Sequence, residues 1–352
     1  MKKIRRLMKW FLTAMIIIII IGLFLPTWTP PIKGENSISE LSQISINGAK
    51  HQFMIRGKDK NNPIIIFVHG GPGCSEIPYV TKYQDILEKD FTIVHYDQRG
   101  SGKSYSFFED YSNITSQLLV SDLLAITDYI SERFEKKKIL LVGHSFGTYI
   151  ALQAAEKAPE KFTAYIGIGQ MSDPIKNELN SLKYCLEQAH KAGNCNDFEQ
   201  LERLKSDIEK GTITTPRNYV RKYGGASRLI DDNGDYLEGF LTHPEYNLLD
   251  VVRYFQGVSV SQDILLTEST KRPLPSLVKS IEIPCYFIMG QYDYMTTTES
   301  AKEYFDSIKA IEKEFILYSN SAHYPQFEEK EKFAEWLTNK FLKHNLDLNK
   351  YN

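Results

Sequence analysis

The sequence predicts an α/β fold: a mostly parallel sheet with helices on both faces, carrying a helical insertion and preceded by an N-terminal apolar helix. Three observations predict it. Short aliphatic runs such as "PIIIFVHG", "FTIVHYD" and "KILLVGHS" alternate with longer stretches of helical periodicity, and that alternation belongs to parallel sheets. One run ends in Gly143-His144-Ser145-Phe146-Gly147, a serine between glycines at a strand-to-helix turn. At the N-terminus, an unbroken apolar run follows five cations.

Those cations are Lys2, Lys3, Arg5, Arg6 and Lys9, and "FLTAMIIIIIIGLFL" follows them. From Trp10 to Leu25 the charge-free run spans about 24 Å as a helix. That is close to the ~30 Å hydrocarbon core of a bilayer, and Leu7 and Met8 extend it if Lys9 snorkels. A buried core helix would not keep six isoleucines in a row beside five cations. The cations are expected on the cytoplasmic side and the rest of the chain outside the cell membrane. A cleaved secretory signal needs small residues before its cleavage site. Here "PTWTPPIKG" follows instead, which favours an uncleaved signal anchor. Residues 1–34 are read as tail, transmembrane anchor and spacer, with Trp28 at the outer interface and Pro30 and Pro31 as stiffeners. A chain starting near Lys33 is then expected to be soluble and active.

The 352 residues suffice for one large core with an insertion. A net charge of -2, with no basic patch beyond the N-terminus, gives no electrostatic reason to expect nucleic acid. The four cysteines form no metal signature, and neither metal nor cofactor is expected. Cys185 and Cys195 are the only near pair, leaving a disulfide open in an exported domain; Cys74 and Cys285 are read as small core residues.

Taken in order, "SISELSQISINGAKHQFMIRG" alternates around Asn47-Gly48 and predicts a hairpin. "PIIIFVHG" is a strand, "YVTKYQDILEKD" a helix, "FTIVHYD" a strand and "QLLVSDLLAITDYISERF" a helix. The strand "KILLVGHS" leads into a helix that stops near Pro159, and "FTAYIGIG" is the next strand. From Gln170 to about Ser276 the strand pattern gives way to polar helical sequence. Residues 171–276 are read as a helical cap on a core of residues 35–170 and 277–352, since ligands bind beyond the carboxyl ends of such strands. "IPCYFIMGQYD", "TTTESAKEYFDSIKAI", "KEFILYSN" and "EKEKFAEWLTNKFLKH" then resume as strand, helix, strand and helix.

Ser145 has the setting of a nucleophile. Gly143 and Gly147 remove β-carbons that would collide in so tight a turn. A base must come from His190, His243, His323 or His344 if it follows the serine. His190 and His243 fall in the predicted cap and His344 near the C-terminus. His323, in "LYSNSAHYPQFEE", follows the last strand and can reach back across the sheet. Asp293, in "FIMGQYDYMT", lies just past another strand and can orient that histidine. Asp97 also ends a strand, but it precedes the nucleophile and opens a separate motif. For the oxyanion, the amide of Phe146 and that of Gly71 in "FVHGGPGCS" are assigned as donors.

"HGGPG" at 69–73, "DQRGSGKS" at 97–104, the "GHSFG" turn, "GQYD" and "SAH" together resemble the α/β-hydrolase superfamily, in particular its proline iminopeptidase branch, over about residues 45–345. The resemblance implies that the "HGGPG" loop supplies the oxyanion hole and that "DQRG" organises the neighbouring loop. It also implies cap carboxylates that grip a substrate's free amino terminus. The family's turn usually reads Gly-Gly-Ser-Trp-Gly, so His144 and Phe146 depart from it. Within "LIDDNGDYLEGFLTHPEY", Asp231, Asp232, Asp235, Glu238 and Glu245 are the acids on offer; Glu238 is the first choice for substrate binding, with Asp235 and Glu245. The expected protein is a membrane-anchored serine hydrolase acting on short peptides as an aminopeptidase. The same triad would serve an ester, lactone or lipid acyl group, and a non-catalytic binding protein is the third reading.

Overall fold

In the computed structural model, residues 2–343 are described, and His344 lies outside them. Strands β1 (Ile38–Ile46), β2 (Ala49–Gly57), β3 (Ile64–Val68), β4 (Thr92–Tyr96), β5 (Ile139–His144), β6 (Phe162–Ile168), β8 (Cys285–Gly290) and β10 (Lys313–Tyr318) form one sheet. Its order is β1-β2-β4-β3-β5-β6-β8-β10. The β1–β2 hairpin turns at Asn47-Gly48 and joins β4 antiparallel; every other pairing is parallel. Residues alternate between faces along each strand. Ile64, Ile66 and Val68 pack with α2 (Ser116–Arg133) and α3 (Phe146–Lys157), while Ile65 and Phe67 pack toward Phe333 and Leu337 of α12 (Lys330–Thr338). Burial on both sides explains the unbroken aliphatic runs. With the strands parallel, the loops after β3, β5, β8 and β10 open at one edge.

Between β6 and β8 come α4 (Pro174–Lys191), α5 (Cys195–Glu209), α6 (Arg217–Lys222), α7 (Asp232–Thr242), α8 (Leu248–Lys271) and α9 (Leu274–Leu277). Side-chain caps at Asp173, Asn194, Asp231 and Asn247 start four of these helices. A two-stranded ribbon of β7 (Ser280–Ile281) with β9 (Lys309–Ala310) flanks α10 (Thr298–Ser307), so the expected helix ends before Ile308. The short α11 (Pro325–Glu328) precedes α12.

Two further expectations change, and the question left open by the cysteines is answered. "YVTKYQDILEKD" is not an α-helix but two 3-10 turns, Val80–Lys82 and Leu87–Lys89. Its side chains divide between the insertion, where Tyr83 donates to Asp235, and the sheet, where Leu87 joins the core and Glu88 pairs with Arg56 of β2. Those partners outweigh helix propensity. Cys185 and Cys195 are both free: Cys185 is sealed inside the insertion, whereas Cys195 is exposed at the start of α5.

The second change concerns the N-terminus. Helix α1 (Lys2–Phe24) contains a 22-residue stretch, Lys3–Phe24, long and apolar enough to cross a membrane, and its most apolar window is unburied. The segment after it is more than a stiff spacer, because it is bonded into the domain. The Leu25 carbonyl accepts from Asn247 Nδ2 at 2.9 Å, and Trp28 N–H donates to the Pro244 carbonyl at 3.0 Å. Thr27 Oγ1 accepts from buried Lys103 Nζ at 2.7 Å, and Thr29 Oγ1 and the Pro30 carbonyl accept from buried Arg56 Nη1 at 2.6 Å each. A chain starting at Lys33 strips these acceptors from two buried cations. It is expected to be less stable than one starting at Leu25 by about 2–5 kcal/mol, the cost of leaving such donors unmet. Coincident urea midpoints for the two chains would refute this role.

Candidate active site

Ser145 lies between the end of β5 and the start of α3 with φ 53° and ψ -125°. That is a strained conformation for a non-glycine residue. Its amide donates to the Ile168 carbonyl at 2.9 Å, which holds the turn. A Cβ on Gly147 would overlap the Val68 carbonyl oxygen, so only glycine lets α3 start so close to β3.

His323 and Asp293 come together from the loops after β10 and β8. His323 Nδ1 meets Asp293 Oδ2 at 2.9 Å. The carboxylate is itself fixed: Oδ1 accepts the amides of Met295 and Thr296, both at 2.9 Å, and Oδ2 also accepts from Thr296 Oγ1 at 3.0 Å. Both residues are buried, and His323 lines the same cavity as Ser145. Gly71 (φ +120°) and Phe146, the first residue of α3, line it as well. The amide of a helix's first residue has no intrahelical acceptor. Asp97, by contrast, accepts the Lys103 amide at 2.7 Å and organises its own loop, with burial raising its carboxyl to about 7. Gln98 ties that loop to the first glycine loop: its amide donates to His69 Nε2 at 3.0 Å and its side chain to the His69 carbonyl at 2.7 Å.

A buried pair lies under the site that sequence reasoning did not assign. His144 Nδ1 meets Glu76 Oε1 at 2.7 Å, and its Nε2 faces the His323 carbonyl at 3.1 Å. Burial alone would raise the Glu76 carboxyl; His144, with His95 and His69 nearby, outweighs it and holds the group below the ordinary carboxylate value. The only sequence signal was His144 inside the serine turn. Glu328 adds a second support, accepting the amides of Ala322 and Tyr324 at 2.9 and 3.3 Å on one oxygen. Its other oxygen accepts those of Arg228 and Leu229 at 2.9 and 3.0 Å. The His323 amide meanwhile donates to the Ala226 carbonyl at 3.0 Å.

The cavity above Ser145 measures about 420 Å³. Met171, Ile175, Ile213, Leu266 and Met295 supply apolar wall, and Tyr236, Tyr254 and Tyr324 line it with phenols that burial raises well above their ordinary value. The acids expected to bind substrate do not line it. Asp235 is buried against Lys82 Nζ at 2.7 Å, Glu238 is exposed on the same lysine at 2.8 Å, and Glu245 accepts from Thr29 at 3.0 Å. Asp235 and Glu238, three residues apart, share one face of α7 that turns toward the Lys82 loop, while Asn233 and Tyr236 face the cavity. The insertion's carboxylate that does line the cavity is Glu178 of α4, and Arg217 holds it bidentately at 2.5 and 3.1 Å. A more open groove of about 570 Å³ runs between α4 and α5, away from Ser145. No group of three or more metal-ligating side chains occurs among the described residues.

The order of the strands, the serine on its strained turn and the aspartate–histidine pair two loops away define a class. The family model described as alpha/beta hydrolase fold matches residues 63–330, and the chain belongs to that family. Within it the chain falls in the proline iminopeptidase-like branch. It is 32% identical over 318 residues to a protein of Bacillus subtilis (strain 168) named Probable aminopeptidase YbaC, covering 89% of this chain and 99% of that one. It is 22% identical over 312 residues to a proline iminopeptidase of Saccharolobus solfataricus, with 80% and 85% covered. Among solved structures, a proline iminopeptidase of Mycobacterium smegmatis superposes with a TM-score of 0.62 at 14% identity, over 88% of this chain and all of that one (100%).

Proposed function

We propose that this chain is a membrane-anchored serine hydrolase that removes N-terminal residues from short peptides through an acyl-enzyme. The observation that carries the reading is the Asp293–His323 pair sharing one cavity with Ser145. In this reading Ser145 Oγ attacks the substrate carbonyl carbon as His323 Nε2 takes its proton. The amides of Gly71 and Phe146 donate to the oxyanion, and His323 returns the proton to the leaving amine. Water then attacks the acyl carbon, with His323 again as base, and releases the acid. Residues 171–276 act as the cap that roofs the cavity. Helix α1 holds the domain on the outer face of the membrane, its cations staying cytoplasmic. The aminopeptidase activity is supported by the relatives' names.

A second reading, hydrolysis of an ester or lactone, is favoured by one observation. The cavity-lining carboxylates already have partners: Glu178 has Arg217 and Glu76 has His144. A substrate ammonium would have to share one of them, whereas an acyl ester needs only the apolar wall. A chromogenic panel of free and amine-blocked aminoacyl amides beside short acyl esters separates the two. The aminopeptidase reading expects blocking the amine to cost on the order of 2–5 kcal/mol in kcat/KM, as for a lost desolvated charge pair. Blocked and free amides cleaved alike, with esters faster than both, would give the esterase reading the site.

A further inference from the structure

The linker between α1 and β1 holds the anchor against the domain at a fixed place. Its backbone and side chains from Leu25 to Pro30 bond to Asn247, Lys103, Pro244 and Arg56. The last turn of α1 itself lies on α8: a Cβ on Gly22 would stand 2.6 Å from Leu248 Cδ1. An anchor held in this way determines which surface of the domain sits beside the point where α1 leaves the membrane.

That surface is apolar. Helix α8 presents Leu248, Val252 and Phe255, spaced i, i+4 and i+7, at 38%, 43% and 59% exposure. Helix α7 adds Leu237 and Leu241, four residues apart, at 59% and 68%. Phe240 joins the two helices, its ring 6.0 Å from Phe255 and 4.9 Å from Tyr254. Exposed Leu25 and Trp28 continue the patch from the linker. Charged groups nearby are paired: Arg253 with Asp250, and Glu238 and Asp235 together with Lys82, a trio that keeps one net negative charge. Contiguous exposed apolar surface of this kind marks an interaction site, and tryptophan beside a membrane helix suits the headgroup boundary.

We propose that the outer face of α7 and of the first half of α8 rests in the outer interface of the bilayer that α1 spans. The proposal depends on the anchor reading of α1. Its occupant is lipid because the patch is continuous with the lipid-facing helix. Other residues of the same two helices, Tyr236, Tyr254 and Gln262, line the cavity. The same two helices therefore carry both the proposed docking face and part of the wall of the candidate active site.

The test uses the full-length protein in phosphatidylcholine vesicles. Phe255→Trp and Leu241→Trp each add one fluorophore, and the wild type is run in parallel to subtract the three native tryptophans. In vesicles whose lipids are brominated high on the acyl chain, the added tryptophan is expected to lose most of its emission in both variants. Ile311→Trp, an exposed site at the β9–β10 turn beside the sheet edge opposite β1, should lose none. Unquenched emission at both 241 and 255, in protein that alkaline carbonate fails to strip, would overturn the docking face, whether water or a second copy covers it. Protein that carbonate strips from the vesicles would overturn the anchor reading and the docking face together.

Discussion

Ser145→Ala and His323→Ala are each expected to lower kcat by about 10⁴–10⁶-fold, with the double variant little worse than either, because nucleophile and base act as a unit. Neither change should unfold the protein. Ser145 occupies its strained backbone through the turn's hydrogen bonds, and alanine keeps those. His323 keeps its loop through the Ala226 contact and the Glu328 carboxylate, which involve only backbone amides. Steady-state rates with the best substrate of the panel, alongside labelling by a fluorophosphonate probe, provide the measurement. Multiplicative losses in the double variant, or a Ser145→Ala protein with near-normal turnover, would remove Ser145 and His323 from the chemistry.

Asp293→Asn should be almost as damaging, by about 10⁴-fold, for a reason visible in its contacts. Oδ1 is committed to the amides of Met295 and Thr296, so it must stay an oxygen. The new NH₂ then falls at the Oδ2 position, facing His323 Nδ1. A donor there forces the ring proton onto Nε2, the nitrogen that has to accept from Ser145. Asp97→Asn is the control. Its carboxylate accepts from the Lys103 amide and the Tyr246 hydroxyl, and weakening these bonds should read out in stability rather than in turnover. If the folded Asp97→Asn protein were the slower enzyme, the acid would have been assigned to the wrong strand end.

The strands were legible because burial on both faces leaves a local mark, an aliphatic run bounded by turn residues. The shared edge that carries Ser145, Asp293 and His323 was legible for the same reason: each follows such a run where parallel strands open. What failed depends on partners distant in sequence. The twelve residues from Tyr79 to Asp90 have helical spacing, yet Asp235, far along the chain, decides their shape. Glu238 and Asp235 stand among the acids the insertion offers, but the rotation of α7 turns them to Lys82 and leaves Asn233 and Tyr236 on the cavity. The linker read as a stiff spacer because nothing local reveals that Lys103 and Arg56 need its oxygens. Glu76 was invisible for want of any pattern linking it to His144, 68 positions on.

The four amides gathered by Glu328 have a mechanical consequence. One carboxylate pins the loop carrying His323 and, through Arg228 and Leu229, the strip of insertion that follows α6. Any hinge that lifts this strip must break the carboxylate's grip on the histidine loop, or else leave Glu328 behind with two of its four donors lost. Raising that strip therefore costs the carboxylate two of its hydrogen bonds even where the histidine loop keeps its own. Under the proposed function, a substrate that enters past the remaining wall leaves all four of these bonds intact, so the Glu328 corner works as a latch that need not open between turnovers.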